Sequence, residues 1–253
     1  MQTKQQKRED DSLIFGLRPI IEAVRAGKEL DKLLVQSGLK GELFSELMGV
    51  LKQYNVVFQY VPVEKLNHLT TKNHQGAVGY ISSINYKKIK NILPNIIASG
   101  KAPLLLILDR ITDVRNFGAI VRTAECSGVN AIIIPTHGAA QINADAIKTS
   151  AGAVHNISIC REDNMKATID FLKDCGVNIV ACTEKATDHY FQIDFTVSTA
   201  IIMGSEEDGV LNEYLQKSDA KAKIPLMGKI ASLNVSVAAG IILYEAVSQR
   251  LLN

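Results

Sequence analysis

The chain of 253 residues contains no tryptophan, four cysteines and no Cys-X-X-Cys pair. Its cysteines and histidines are scattered, and no histidine stands at zinc-ligand spacing from a cysteine. We therefore expect free thiols buried in the core and no metal site. The residues concerned are Cys126, Cys160, Cys175, Cys182, His68, His74, His137, His155 and His189.

Targeting and membrane signals are also lacking. Residues 1–11 form a polar, charged tail without an apolar segment, and no run elsewhere approaches the length that crosses a bilayer. With 47% apolar residues, the chain can still bury a core. We expect a cytoplasmic protein with no membrane partner.

A dinucleotide fingerprint is missing too. The first apolar run of the rear half, residues 104–108, is followed by Asp109-Arg-Ile-Thr and not by Gly-X-Gly-X-X-Gly, which argues against an ordinary dinucleotide site. Further apolar runs occupy 131–134, 177–180 and 200–203, separated by helical patterns. Strands that are apolar on both faces and alternate with helices predict a parallel sheet covered on each side.

The front of the chain predicts a smaller α/β domain. Helical patterns and strands alternate there, at 17–26, 33–36, 42–54, 56–61 and 77–82. Lysines and two prolines follow, which is typical of a linker. We predict a substrate-binding domain over 12–84, a linker over 85–102 and a second domain over 103–253.

Charge is divided unevenly along the chain. Residues 1–100 hold 14 Lys and Arg against 9 Asp and Glu, a net of +5, whereas the rest holds 14 against 17, a net of −3. A basic front fits capture of RNA phosphates, and a solvated basic surface would look the same.

Polar loops that contain glycine follow the late strands. The segment from Ile224 to Ser236 passes from a strand through a tight loop into a helix, with Ser232 as the predicted cap and Asn234 in the first turn. Backbone N–H groups at such a helix start can hold a polar ligand. The chemistry is therefore expected in the C-terminal third.

A further helix is expected to begin near Asn116, with that residue as its N-cap. Arg122 falls four residues after Gly118, so the two share a helix face, and the glycine would leave space beside the guanidinium. A surface arginine paired with Glu125 is the alternative interpretation. Glu206, in a glycine-bracketed turn, could hold Arg122 or accept hydrogen bonds from loop amides.

Three segments in order resemble the motifs of the SpoU (TrmH-like) RNA ribose methyltransferases. They are Asn116-Phe-Gly118-Ala-Ile-Val-Arg122-Thr-Ala124, Gly204-Ser-Glu206-Glu-Asp-Gly209-Val, and Ile224 through Ser236. The resemblance spans roughly 101–253. Phe15-Gly16, Glu22-Ala-Val and His74-Gln-Gly76 look like the ribosomal-protein-like RNA-binding domain of the RlmB branch.

The resemblance implies an S-adenosylmethionine-dependent homodimer that methylates a ribose 2′-hydroxyl, with a guanosine of 23S ribosomal RNA as target. It also implies a deep C-terminal trefoil knot. The matching catalytic positions are Arg122, Asn116, Glu206, Ser232 and Asn234, and the matching cofactor positions are Gly204, Ile224 and Leu233. Because an arginine stays protonated, we expect Arg122 to stabilise a developing alkoxide electrostatically.

Other functions remain open at this point. A non-catalytic RNA-binding or ribosome-assembly factor could keep the same fold, and tRNA could be the methylated substrate. Methylation of a base on a related knotted scaffold is a nearer rival. A hydrolase or transferase that uses Ser232 as nucleophile lacks the Gly-X-Ser-X-Gly elbow.

Overall fold

The computed structural model describes residues 12–252, so the predicted polar tail at 1–11 lies outside the described residues. The chain divides into two compact units after residue 85. Each unit has its own sheet, and each is described by itself below.

The N-terminal unit is a four-stranded sheet with helices on both faces. Its strands stand in the order β1-β4-β2-β3, with β4 antiparallel to β1 and β2, and β2 parallel to β3. The elements are β1 (Leu13–Phe15), α1 (Leu17–Arg25), β2 (Leu30–Gln36), α2 (Glu42–Gln53), β3 (Gln59–Val61), α3 (Val63–Leu69) and β4 (Ala77–Ile81). The predicted α/β architecture is confirmed, while β1 and α3 were missed because both are short.

Alternation along β2 explains the two layers of this unit. Leu33 and Val35 face a core that includes residues of α1 and α2, whereas Leu34 faces Val61 and Leu66 on the other side. Successive strand residues point to opposite faces, so a fully apolar strand can be covered twice.

The C-terminal unit is a seven-stranded sheet in the order β7-β6-β5-β10-β8-β11-β9, and every pairing is parallel. The elements are α4 (Ile89–Ala98), β5 (Leu104–Leu108), α5 (Val114–Cys126), β6 (Ala131–Pro135), α6 (Ala144–Thr149), β7 (Ser158–Glu162), α7 (Met165–Asp174), β8 (Asn178–Cys182), β9 (Asp188–His189), β10 (Thr199–Met203), α8 (Asn212–Lys217), β11 (Ala220–Lys223) and α9 (Val235–Leu252). The predicted parallel sheet is confirmed, and the implied knot stays a prediction.

Three strands of this sheet escaped the sequence analysis. β7, β9 and β11 carry charged or polar residues within their short spans, so none reads as an apolar run. The four strands that were predicted are the most buried ones, and β5 and β10 are buried at every position.

The segment 85–102, predicted as a linker, is largely helical. α4 runs from Ile89 to Ala98 with Pro94 inside it, and Ile89 and Leu93 are fully buried in the core of the C-terminal unit. The prediction was wrong for this helix because its lysines and prolines were given more weight than its apolar residues. Those residues pack against the sheet.

The location of the basic charge also changes. Residues 12–85 hold 8 Lys and Arg against 6 Asp and Glu, whereas residues 86–100 contribute three lysines and no acid. These are Lys87, Lys88 and Lys90, which belong to the C-terminal unit. Much of the positive excess of the front half therefore lies outside the N-terminal unit.

The cysteines are all free, but they are not uniformly buried. Cys160 is buried and Cys182 is partly exposed, whereas Cys126 and Cys175 are exposed at the ends of α5 and α7. The expectation of four buried thiols was therefore wrong for the latter two. A cysteine at the end of a helix can face solvent even when the helix packs on the core.

α9 corrects the expectation that no run approaches membrane length. Its 18 residues have a mean hydropathy of 1.3, which is long and apolar enough to cross a membrane by length and composition alone. Core helices of soluble proteins meet the same criterion, so it is weak evidence. Here α9 packs along α5 and buries five of its residues, namely Val235, Ala239, Ile242, Leu243 and Ala246.

Gly118 permits a close approach of α5 to α6. A Cβ at this position would lie 2.7 Å from the Cβ of Thr149 and 3.0 Å from the carbonyl oxygen of Ala146. The expectation that this glycine leaves space beside Arg122 is thus replaced by a packing role. Interiors packed to this density do not accept an extra methyl group without displacement.

We predict that Gly118→Ala lowers the free energy of unfolding by about 1–3 kcal/mol, because the new methyl group overpacks the contact between α5 and α6. Urea denaturation measures the change. Gly240→Ala on α9 is the matched control, since its Cβ would meet only Thr123, at 3.8 Å. That substitution should be neutral or stabilising by up to about 1 kcal/mol. Equal stability of the two variants would contradict the packing argument.

Candidate functional site

The loops after four neighbouring strands meet at one edge of the C-terminal sheet. Strands β5, β10, β8 and β11 stand side by side and are parallel, so their carboxyl ends lie together. Ligands of open parallel sheets bind outside these ends. The candidate site is therefore built from the loops that leave these strands and from the starts of α5 and α9.

A hydrogen-bonded cluster joins three predicted residues at this edge. The Nδ2 of Asn116 donates to the Oε1 of Glu206 over 2.8 Å. The Nδ2 of Asn234 donates to the same oxygen over 3.1 Å and to the Oδ1 of Asn116 over 3.0 Å. We call Asn116, Glu206 and Asn234 the amide–carboxylate cluster. Within residues 12–252 the Oε2 of Glu206 has no hydrogen-bond partner, so it is available to a ligand.

α5 begins two residues earlier than predicted, and its cap is a different residue. Asp113 precedes the helix, and its side chain accepts a hydrogen bond from the backbone N–H of Asn116 over 2.8 Å. Asn116 therefore lies in the first helical turn, where its amide is free to reach Glu206. An N-cap would have had to turn its side chain back toward its own helix.

Asn234, and not Ser232, caps the start of α9. Its Oδ1 accepts hydrogen bonds from the backbone N–H of Ser236 over 2.9 Å and from the hydroxyl of Ser236 over 2.5 Å. The Nδ2 of the same side chain serves Glu206. The cap fixes the amide, so the donor is held toward the carboxylate by the helix itself.

The turn that carries Glu206 is closed on itself. The backbone N–H of Gly209 donates to the carbonyl oxygen of Ser205 over 3.0 Å, and the hydroxyl of Ser205 accepts from the backbone N–H of Asp208 over 3.2 Å. A Cβ on Gly204 would lie 2.1 Å from backbone atoms of Gly209 and Val210. Only glycine fits where the strand meets the end of its own turn.

Two cavities adjoin the amide–carboxylate cluster. The small cavity has a volume of about 230 Å³ and is lined by Arg110–Asp113, Asn116, Ser205–Asp208 and Val235. The large cavity has a volume of about 410 Å³ and is lined by Cys182–Lys185, Met203–Gly209, Ala222–Ile224, Leu226, Ala231–Leu233, Val235 and Ala238. Glu206 lines both.

The predicted cofactor positions line the large cavity together. Gly204, Ile224 and Leu233 all contribute to its wall, and so does Ser232. Leu233 is 39% exposed, so the alternative of a plain core residue does not hold for it. Burial raises the pKa of the Cys182 thiol to about 12, so this wall residue is a neutral thiol at physiological pH.

Arg122 stands apart from these residues within one chain. It is exposed, and its guanidinium has no hydrogen bond or ion pair within residues 12–252, so neither Glu125 nor Glu206 holds it. Six residues separate it from Asn116, which places it about 9 Å farther along α5 and about 120° around the helix. The structure does not bring Arg122 into the amide–carboxylate cluster of its own chain.

The sequence analysis missed Asp109 and Arg110 as site residues. Asp109 is 2% exposed, and its Oδ2 accepts from the backbone N–H of Leu211 over 2.8 Å. Arg110 lines the small cavity and contacts the turn of Glu206. The available signal was a charged pair placed directly at the end of a fully apolar strand.

Two family models cover the chain. The SpoU rRNA Methylase family model matches residues 103–244, and the model for RNA 2'-O ribose methyltransferase substrate binding matches residues 13–87. The chain belongs to the SpoU rRNA methylase family. SpoU methyltransferases use S-adenosylmethionine, and the chain is accordingly an S-adenosylmethionine-dependent RNA 2′-O-ribose methyltransferase of this family.

Relatives and solved structures agree with this assignment. A TrmH family tRNA/rRNA methyltransferase of Bacillus subtilis, described as putative, is 31% identical over 94% of this chain and 95% of its own length. The AdoMet-bound rRNA methyltransferase from Sinorhizobium meliloti is 26% identical, with a TM-score of 0.59 over 92% of this chain and 85% of its own. The A. aeolicus TrmH/SpoU tRNA modifying enzyme is 31% identical, with a TM-score of 0.55 over 65% of this chain and 85% of its own.

The large cavity fits such a cofactor. Its volume falls within the range of small-molecule sites, roughly 300–1,000 Å³. Ile224, Leu226 and Leu233 offer an apolar wall for an adenine, and the backbones of the loops after β10 and β11 offer polar partners. No group of three or more His, Cys, Asp or Glu side chains that could hold a metal is found among residues 12–252, and the absence of a metal stays a prediction.

We predict that Gly204→Ala weakens cofactor binding by about 10-fold or more, equivalent to about 1.4 kcal/mol. The added Cβ meets backbone atoms, so the turn from Ser205 to Gly209 must shift and carry the cavity wall with it. Calorimetry with S-adenosylmethionine measures the change. Gly228→Ala in the neighbouring loop is the control, because its Cβ would meet nothing within 4 Å. Unchanged affinity in Gly204→Ala would show that the turn tolerates displacement.

Proposed function

We propose that the protein methylates the 2′-hydroxyl of a guanosine in 23S ribosomal RNA. The observation that carries the choice of site is the amide–carboxylate cluster, which stands between a cavity for the cofactor and a second one open to the acceptor. Guanosine and 23S RNA rest on the resemblance of the front domain to the RlmB branch. tRNA is the alternative substrate.

The extent of the structural matches favours ribosomal RNA. The rRNA methyltransferase of Sinorhizobium meliloti aligns with 92% of the chain, whereas the A. aeolicus tRNA-modifying enzyme aligns with 65%. The N-terminal unit coincides with the substrate-binding family model, so the larger overlap includes the part of the chain expected to select RNA.

The acceptor ribose is proposed to bind in the small cavity beside Glu206. Two amide donors hold the Oε1 of this carboxylate, which leaves Oε2 to accept the hydrogen bond of the 2′-hydroxyl and to hold its proton. When bound, S-adenosylmethionine supplies the methyl group on a sulfonium. Alignment of the oxygen by fixed groups can lower the barrier by several kcal/mol, on the order of 7–11 at best.

Ser232 and Arg122 complete the proposed machinery in different ways. Ser232 lines the large cavity, and no histidine is among the residues that line it, so a positioning role fits better than nucleophilic catalysis. Arg122 is proposed to stabilise the negative charge that develops on the ribose oxygen. Its guanidinium is exposed and has no partner within residues 12–252, so it is available to RNA or to a second copy of the chain.

A cytoplasmic homodimer is the proposed working form. α9 exposes Val237, Tyr244 and Leu251, and the loop before it exposes 97% of Met227 and 80% of Ile230. Apolar side chains this exposed, grouped in consecutive segments, are typical of surfaces that a partner covers. A second copy would also allow Arg122 of one chain to serve the site of the other.

Cells that lack the protein should lose one ribose methyl group, at a guanosine of 23S RNA. A transcriptome-wide map of 2′-O-methylation measures this, and nucleoside analysis of digested RNA shows whether the sugar or the base carries the group. Loss of a methyl from tRNA alone would transfer the assignment to the alternative substrate. An unchanged map in both RNA classes would favour a non-catalytic ribosome-assembly factor.

Arg122→Ala should reduce kcat by about 10²-fold or more while S-adenosylmethionine still binds, because the cation acts on charge that appears only in the transition state. Single-turnover methylation and calorimetry separate the two effects. Arg115→Ala is the control, since Arg115 is an exposed arginine on the same helix. Normal turnover in Arg122→Ala would remove this residue from the reaction, and the non-catalytic alternative would gain support.

A further inference from the structure

Arg110 has an unusual backbone for an arginine. Its φ is +58°, in the left-handed region that favours glycine, at the exit of the central strand β5. Side chains other than glycine occupy this region at a cost, and they persist there where surrounding contacts hold them. The contacts of this side chain therefore indicate what the conformation serves.

The guanidinium of Arg110 reaches the turn that carries Glu206. One nitrogen, NH1, donates to the Oδ2 of Asp208 over 3.0 Å, and the other, NH2, donates to the carbonyl oxygen of Gly209 over 3.0 Å. Its Nε donates to the Oδ1 of Asp109 over 3.1 Å. Arg110 thus links the end of β5 to the two residues that close the turn.

Asp109 anchors the other side of this linkage. It is 2% exposed, and its Oδ2 accepts from the backbone N–H of Leu211, just beyond the turn. The hydrogen bond to Asp109 raises the pKa of Arg110, so the guanidinium keeps its charge. The fork of an arginine can serve three acceptors in a fixed geometry, which a lysine cannot do.

We propose that Arg110 is a positioning residue for methyl transfer, which holds the turn from Ser205 to Gly209 so that Glu206 meets Asn116 and Asn234. The turn contacts no other charged side chain within residues 12–252, as judged from its hydrogen bonds and ion pairs outside the amide–carboxylate cluster. The proposal rests on the role given to Glu206 under the proposed function. It does not place Arg110 on the reacting atoms.

Arg110→Gly separates positioning from stability. Glycine adopts the left-handed backbone without strain, so the thermal unfolding midpoint should stay the same or rise. The clamp is lost, so kcat at saturating cofactor should fall on the order of 10- to 100-fold, as expected when a catalytic group is displaced by about 1 Å. A purely structural role would lower the unfolding midpoint as well.

A double-mutant cycle with Glu206→Ala tests whether Arg110 acts through Glu206. We expect the kcat of the double variant to equal that of Glu206→Ala alone, because a carboxylate that is absent cannot be mispositioned. Multiplied losses would overturn the proposal and give Arg110 an independent role. Asp208→Ala, which removes one acceptor of the clamp, should lower kcat by a smaller factor than Arg110→Gly.

Asn55→Gly is the control for backbone relief, because Asn55 also has a left-handed φ, of +51°, and lies in the N-terminal unit. It should keep full turnover. If Glu206→Ala is impaired while Arg110→Gly is fully active, the positioning proposal fails and the proposed function stands. If Glu206→Ala itself retains full turnover, the proposed function loses its carboxylate.

Discussion

The hydrogen bonds that converge on the Oε1 of Glu206 are the interaction on which the candidate site depends. They join side chains 90 and 28 residues from Glu206 along the chain, each carried by a different element. A carboxylate bound by two amides keeps one orientation, and its second oxygen is left for a substrate hydroxyl. Catalysis by alignment requires this kind of fixed geometry, since a mobile carboxylate would lose most of the advantage.

Rigid secondary structure supports each member of the cluster. Asp113 caps α5 and frees Asn116 to point outward, while Asn234 caps α9 with one end of its amide and meets Glu206 with the other. A capped helix start gives a short side chain a defined direction, so the local requirement of the helix and the chemical requirement of the site are met by the same residues.

Two glycines show how closely the surrounding layers approach. Gly118 admits α6 against α5, and Gly204 admits the end of a turn against its own strand. Both belong to segments that resemble family motifs, and both are explained by packing. A short motif can therefore combine residues that contact a ligand with residues that only allow the chain to come close enough.

The sequence by itself determined the class of the fold, because continuous apolar runs such as 104–108 and 200–203 suit only buried parallel strands. It also supplied the residues of the amide–carboxylate cluster and of the large cavity, through the resemblance of three segments. The helix at 89–98, the exposed Cys126 and Cys175, and the caps at Asp113 and Asn234 were not predicted, since each depends on what packs against it. Only the tertiary structure decided that Glu206 meets two amides, that Arg122 stands apart and that Arg110 clamps the turn. Contacts between residues about 100 positions apart follow from strand order, which local patterns do not encode.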